Sequence, residues 1–548
     1  MTQDLLTYLK EIIVKKVFIP KGQEHFVSPL KDKASWIFDF RKILLTPKVL
    51  RAITDLFLER IPNISGLQIG GPEVAAIPLV TGITMRLSEQ GQDVSGFFIR
   101  KSRKKSGLLR MIEGEITADK VIMIDDILNT GNTFIRQVEI VESLGKKVET
   151  IFVVLRFRNL EYYKYFHDRG IKIVSLFTLD DFTGTLGVTN LIDKKETPVP
   201  MPFKVEWYFK SEDPNYFYVI PKSAPVLDDN KVYFGSDNGT FWALNQSDGS
   251  VSWKYQILGF GKKMIFSSPT LYKNMVYFGA YDGNFYALDT NTGKKKWIFM
   301  EADWIKSSPS IAQDLGLIFV GLEFGLWKKQ GGIVALDALT GKKRWEYITD
   351  ARVYSSPAYS KQCGIVLVSA DNSTVYALNV ISGKLLWEFK IDGEIRASFT
   401  LNETGQTVVF SSTNGHTYVL EMANGKLLHR IEVSESLYST PLIHDGQLYI
   451  ASLDKYLYCF ELTTGNLLWK FEMKGRIFAS PEIIDDKIYI GSNDGRFYEL
   501  ETRTGKNTAF FQATERITDK CAYNPETKCF FVPTFANEIY CLKRTEAK

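Results

Sequence analysis

Several residue types that mark common functional classes are scarce in this 548-residue chain. It has five cysteines, Cys363, Cys459, Cys521, Cys529 and Cys541, an odd number with no CxxC pair. That argues against a disulfide framework and against a structural zinc site built on thiolates. The five histidines (His25, His167, His416, His429, His444) show no ligand spacing. No run of eighteen apolar residues occurs, so no membrane-spanning helix is expected. The opening MTQDLLTYLKEIIVKK mixes charges with apolar residues and lacks the long apolar core of a signal peptide. Lys and Arg number 67 against 63 Asp and Glu, so a net charge of +4 gives no global pull towards nucleic acid or an anionic membrane. Walker glycine loops, HExxH motifs and serine-hydrolase elbows are missing. These absences predict a soluble cytoplasmic protein with neither nucleic acid nor membrane as partner.

What is present is globular: 45% hydrophobic and 24% charged residues. Aromatics reach 13%, which leans towards pleated structure. The length suggests two to four units. Residues 1–200 alternate strand-like runs (Leu67–Ile69, Val94–Ile99, Val121–Ile124, Val148–Leu155, Lys172–Phe177) with helical patterns such as Glu73–Leu87 and Thr133–Leu144. Such alternation predicts an α/β fold, a parallel sheet covered by helices on both faces.

After a proline-rich linker, Thr197–Pro202, the period changes. Glycines 249, 293, 341, 383, 425, 465 and 505 recur at intervals of 40 to 48 residues. Trp253, Trp297, Trp345, Trp387 and Trp469 each follow their glycine by four; His429 and Ala509 replace Trp in two units. Ser-Pro or Thr-Pro steps open most units, and Asp-Gly or Asn-Gly turns such as Asp282-Gly283 supply two-residue hairpins. Four short strands per repeat predict an all-β propeller. Seven units plus Ile517–Leu542 give eight blades, the last completed by Lys204–Lys210 from the start of the domain. The repeats resemble the Trp-docking repeats of quinoprotein (PQQ) dehydrogenases and of the related outer-membrane-assembly propeller. Adjacent cysteines and an export signal, both features of the quinone enzymes, are absent here, so no PQQ is expected. An inserted loop with Trp327, Lys328 and Lys329 is a candidate contact for an unknown protein partner.

The most informative segment is Val121-Ile-Met-Ile-Asp125-Asp126-Ile-Leu-Asn129-Thr130-Gly131-Asn132-Thr133. A buried strand leads to two adjacent carboxylates, then to a turn that opens a helix. In open α/β sheets ligands sit outside the carboxyl ends of strands, and a helix N-terminus offers free N–H groups to an anion. The combination suits a sugar phosphate: carboxylates for ribose hydroxyls, turn amides and Thr hydroxyls for a 5′-phosphate. The plain alternative is a capped helix after a strand with two surface acids. From Arg100 to Arg110 run six basic residues and no acid. That run reads either as a solvated basic turn or as cations that stabilise a leaving diphosphate.

The carboxylate segment resembles the phosphoribosyl-pyrophosphate motif of type I phosphoribosyltransferases, and most of residues 20–180 resembles orotate phosphoribosyltransferase. Ile69–Leu79, with Gly70 and Gly71, resembles that family's pyrophosphate turn; Arg100–Gly107 resembles its catalytic loop. The resemblance implies a Mg²⁺-dependent transfer of ribose 5-phosphate from phosphoribosyl pyrophosphate to a nucleobase. Catalytic roles fall to Asp125, Asp126, Arg100, Lys101 and Lys104. Substrate-binding roles fall to Gly70, Gly71, Asn129, Thr130, Gly131, Asn132, Thr133, Arg156 and Arg158. Mg²⁺ would sit on Asp125 and Asp126, partly through substrate. Orotate is the implied base, with Arg156 or Arg158 facing its carboxylate. A homodimer sharing the loop is implied as well. Ser106 stands where the family's loop carries histidine, which leaves a second reading, a catalytically weak nucleotide or donor sensor coupled to a scaffold. The expected layout is a transferase domain over 1–196, a linker over 197–203 and an eight-bladed propeller over 204–548.

Overall fold

The computed structural model describes residues 2–20, 36–100, 112–182, 201–211, 223–258, 264–325 and 330–545. Lys101, Lys104, Ser106 and the Trp327–Lys329 insertion lie outside the described residues. The chain divides into two compact units, Met1–Pro198 and Val199–Lys548.

The first unit comprises α1 (Thr2–Ile12), β1 (Phe18–Pro20), β2 (Trp36–Phe38), α2 (Arg41–Leu44), α3 (Pro47–Arg60), β3 (Leu67–Pro72), α4 (Ala76–Glu89), β4 (Gly96–Ile99), β5 (Ile112–Glu113), β6 (Lys120–Leu128), α5 (Asn132–Ser143), β7 (Lys147–Arg156), α6 (Lys164–Asp168) and β8 (Lys172–Thr178). The main sheet runs β5-β4-β3-β6-β7-β8. Every pairing in it is parallel except β4 with the short edge strand β5. β6 is central, and Val121, Ile122, Met123 and Ile124 are all fully buried, as a parallel strand covered on both faces requires. Its apolar run is shorter than the strand. β6 continues to Leu128, so Asp125 and Asp126 lie within the strand instead of just beyond it. α3 begins with Pro47 at its first turn, where a missing N–H costs nothing. α4 packs on β6 through Leu79, Val80 and Ile83, and α3 packs on α4, with Phe57 edge-on to Phe152 of β7.

The second unit is a ring of eight four-stranded antiparallel sheets. Counted from Val226, blades 1 to 7 span 226–256, 270–299, 310–349, 358–390, 400–432, 442–472 and 482–512. Blade 8 combines 522–544 with β9 (Phe203–Lys210), which pairs antiparallel with Glu538–Arg544. Closing the ring with the domain's first strand removes two open sheet edges.

The repeat of glycine and tryptophan has a direct physical cause. Each Trp donates its indole N–H to a carbonyl of the next blade: Trp253 to Thr290 at 2.9 Å, Trp345 to Val380 at 2.9 Å and Trp207, in β9, to Gln246 at 2.7 Å. The ring lies against that blade's repeat glycine, where a Cβ would approach to about 2.5 Å. Those glycines also hold φ near +70°, a conformation that needs no side chain. The Ser-Pro steps serve a second circumferential chain. Ser268 N donates to Ser308 Oγ, Ser308 N to Ser356 Oγ and Thr440 N to Ser480 Oγ, each at 2.9 Å.

Candidate active site

The carboxyl ends of β3, β6 and β7 converge on one edge of the first unit's sheet. Asp125 and Asp126 are half-buried there. The Asp126 N–H donates to Asp125 Oδ1 at 2.9 Å, which fixes the first carboxylate over the backbone of the second. Burial pushes the Asp126 carboxyl above its usual range, and the nearby negative charge of Asp39 adds to the rise. Asp39 itself is held low by its fork to Arg41, with Nε–Oδ1 at 2.7 Å. Arg41 senses Asp126 as well. The site is therefore rich in carboxylates, and its desolvated member is one that a cation would return to the charged form.

Beyond β6 the chain turns through Asn129 and Thr130 to Gly131. Gly131 takes φ +79° as the N-cap of α5, and a Cβ there would meet the Phe166 ring at 3.0 Å. Glycine thus places the helix N-terminus next to the carboxylates. The first-turn N–H groups of a helix have no partner within it. Asn132 Nδ2 donates to Thr130 Oγ1 at 2.6 Å, which orients that hydroxyl. Thr133 follows in the first turn.

Arg156 ends β7 directly beside Leu128 of β6. Its guanidinium bonds to the carbonyl of Arg158. Arg158 Nε reaches Asn129 Oδ1 at 3.4 Å, and its guanidinium lies 4.4 Å over the Tyr162 ring. Both arginines therefore flank the Asn129 turn. Tyr163, which sequence patterning did not single out, locks this corner. Its hydroxyl contacts the Leu128 and Asn129 carbonyls at 3.1 and 2.9 Å, and burial raises its pKa strongly. It sits in a single 3₁₀ turn, where no periodic signal marks it.

Gly70 and Gly71 close β3, next to β6. A Cβ on Gly71 would lie 2.4 Å from the Ile124 carbonyl oxygen, and one on Gly70 would lie 2.1 Å from the Phe97 ring. Packing alone demands both glycines, so close backbone approach to an anion is not needed to explain them. Arg100 follows β4, and its Nη1 lies 3.1 Å from Glu113 and 3.8 Å from Glu73. Asp125, Asp126, Asn129, Thr130, Gly131, Asn132, Thr133, Arg156 and Arg158 thus form one contiguous edge; Gly70 and Gly71 lie on the adjoining β3, and Arg100 directly after β4. A separate hollow of about 680 Å³, lined by Asn63, Gln68, Gln92, Ser95 and Thr117 among others, opens at the amino ends of β3 and β6, away from the carboxylates.

Orotate phosphoribosyltransferase of Methanopyrus kandleri is 30% identical over 160 residues, which cover 29% of this chain and 82% of that protein. The Pyrococcus furiosus enzyme of the same name is 31% identical over 135 residues, 24% of this chain and 71% of the relative. The family described as outer membrane protein assembly factor BamB matches residues 207–356 and 371–510. The chain belongs to both families, one in each unit. Its first unit is a phosphoribosyltransferase. The second shares its fold with BamB from Moraxella catarrhalis, at TM-score 0.52 and 16% identity, covering 62% of this chain and 99% of that one. A europium-containing methanol dehydrogenase gives TM-score 0.51 at 14% identity, covering 63% and 86%. Among the described residues no helix is long and apolar enough to cross a membrane.

Proposed function

We propose that the first unit is an orotate phosphoribosyltransferase, which moves ribose 5-phosphate from phosphoribosyl pyrophosphate to orotate and releases pyrophosphate. The observation that carries this reading is the Asp125–Asp126 pair running through the Asn129–Gly131 turn into the N-terminus of α5. Carboxylates bind the ribose hydroxyls. The turn amides, with Thr130 and Thr133, bind the 5′-phosphate. In the reaction the C1–diphosphate bond breaks and a bond to the base nitrogen forms. Negative charge grows on the leaving group while C1 becomes oxocarbenium-like. Lys101 and Lys104, which follow Arg100 in the chain, stabilise that charge. Arg156 or Arg158 binds the carboxylate of the base.

The desolvated Asp126 beside Asp125 and Asp39 fits a divalent cation. Magnesium held at Asp125 and Asp126, partly through substrate, neutralises part of the diphosphate charge when it is bound. Residues 1–196 are the transferase domain, 197–203 the connection and 204–548 the propeller, which serves as a module for a protein partner. The transferase is a homodimer and works in the cytoplasm. Ser106 favours a second reading, a donor or nucleotide sensor of low activity, because the loop then carries no histidine to move a proton.

A panel of nucleobases incubated with phosphoribosyl pyrophosphate and Mg²⁺, with products identified by mass, separates the two. Orotidine 5′-phosphate is expected; donor binding without turnover on any base would favour the sensor. Replacing Asp125 and Asp126 by Asn should weaken donor binding in calorimetry, and unchanged affinity would overturn the site assignment.

A further inference from the structure

In three blades the last residue of the first strand joins the next blade through a side-chain hydrogen bond. In blade 2 this is Tyr272, which donates to the Gln313 carbonyl of blade 3 at 3.3 Å. In blade 4 it is Ser360, which donates to the Gly405 carbonyl of blade 5 at 2.8 Å. In blade 8 Asn524 donates to Gln246 of blade 1 at 2.7 Å. Blade 6 places His444 there, opposite Gln447, and no such bond forms. The imidazole Nε2 is shut off from solvent and has no hydrogen-bond partner.

Instead Nε2 faces two carboxylates. Asp445 of its own turn lies 3.6 Å away, and Asp486 in the corresponding turn of blade 7 lies 3.5 Å away. One ligand atom from each of the three residues falls within 4.8 Å of the others. These separations are too long for a hydrogen bond, whose donor–acceptor distance is about 2.7–3.2 Å. They match a different geometry. With metal–nitrogen and metal–oxygen bonds of about 2.0–2.2 Å, the edge of a coordination tetrahedron is about 3.4 Å.

The turn residues point the same way. Gly446 fills the second place of the blade 6 turn at φ +71°, whereas blade 7 puts Asp486 in that place at φ +56°. A glycine there would relieve the backbone; the carboxylate beside His444 is what would be lost. Two carboxylates balance one dication in charge.

We infer that His444, Asp445 and Asp486 form a zinc site that clasps blades 6 and 7. Three protein ligands leave a fourth position for water or for a donor from a binding partner. The mixed nitrogen and oxygen set favours zinc over magnesium or calcium, which take oxygen ligands in larger number. The site is independent of the transferase reading, since all its residues lie in the propeller.

The test uses the full, untagged chain carrying Asp125→Asn and Asp126→Asn, so that the transferase carboxylates do not compete. After chelator treatment it is titrated with Co²⁺, followed by its visible bands, and with Zn²⁺ in calorimetry. One Co²⁺ with the intense bands of a low-coordinate site, displaced by Zn²⁺, is expected. His444→Ala should abolish those bands. Loss of even an outer-shell partner costs a metal site about 10–100-fold in affinity, so Asp486→Asn, at an exposed position, should weaken Zn²⁺ binding by at least about tenfold. Absent bands in the parent, or bands and affinity unchanged in either variant, would overturn the site.

Discussion

Tyr208 donates a 2.7 Å hydrogen bond to Glu538, 330 positions later in the chain, and Glu538 is fully buried. Thr534 Oγ1 bonds the same carboxylate at 2.8 Å and Thr514 Oγ1 at 3.3 Å, so β9 supplies one of the partners of this buried acid. β9 also buries Phe203 and Trp207 against blades 7, 8 and 1. The first strand of the propeller is thus the last piece of its ring. A propeller fragment beginning at Pro202 should be folded and monomeric. One beginning at Asp213 lacks β9 and exposes the edge at Glu538–Arg544. It should aggregate or lose stability on the order of 3–5 kcal/mol, the scale of removing one buried tryptophan. Equal melting temperatures for the two fragments would contradict this closure.

The blade junctions offer a graded test of tryptophan docking. Gly383 holds φ +68°, and a Cβ on it would lie 2.6 Å from the Trp345 ring. At Gly465 the partner is His429 instead of Trp, and the closest approach opens to 3.2 Å at a similar φ of +72°. Gly364, at φ +64°, has open space around it. Alanine at Gly364 should cost only the left-handed backbone penalty, about 1–2 kcal/mol. Gly383→Ala should cost a further 1–3 kcal/mol or so by forcing the indole off its seat, with Gly465→Ala in between. Denaturant midpoints of the three variants measure the order, and equal losses would show that the ring contact contributes nothing.

Most of this was legible in the chain because repetition and local chemistry carried it. A glycine and a tryptophan four apart, repeated every 40-odd residues, encode contacts between consecutive blades, so one pattern reports many junctions. The donor segment was legible because its strand, carboxylates, turn and helix N-cap are contiguous. Asp39 and Tyr163 were not singled out, since they reach Asp126 and Asn129 from distant segments through side chains without periodic spacing. The extent of β6 was underestimated because Asp125 and Asp126 end its apolar run but not its pairing with β7. His444 showed no ligand spacing because Asp486 comes from the next blade.

One buried acid makes propeller stability depend on pH. Glu323 is fully buried in blade 3, and burial pushes its pKa up to about 7 from an ordinary 4.5. Lys306, 3.2 Å away, and Arg352 oppose that rise, whereas Asp371 reinforces it. The folded protein therefore keeps a proton that the unfolded chain releases from about pH 4.5 upward. Unfolded chains then bind fewer protons than folded ones, so this contribution makes stability fall as pH rises from about 4.5 to 7. Glu323→Gln removes the titration. Between pH 5 and pH 8 the parent should lose on the order of 1–3 kcal/mol more than the variant. Parallel stability profiles in denaturant melts would refute it.

The basic residues that follow β4 should control turnover through their charges. Arg100 precedes residues 101–111 and Glu113 follows them, and a 3.1 Å ion pair clasps the two together. Glu73, directly after β3, lies 3.8 Å from the same guanidinium. Cations carried between these ends would act on a diphosphate held near β3 and β6, where charge develops as the bond to C1 breaks. Lys101→Ala or Lys104→Ala should lower kcat by about ten- to a thousand-fold, the range for losing a group that stabilises transition-state charge. Glu113→Gln keeps the shape of β5 but weakens the clasp, and its effect should stay below about tenfold, because an exposed ion pair contributes about 1 kcal/mol or less. Ser106→His should raise kcat by supplying a proton donor where the chain has only a hydroxyl. Steady-state kinetics on the product-forming base decide the matter. If both lysine variants turn over at the parent rate, their charges do not act on the leaving group.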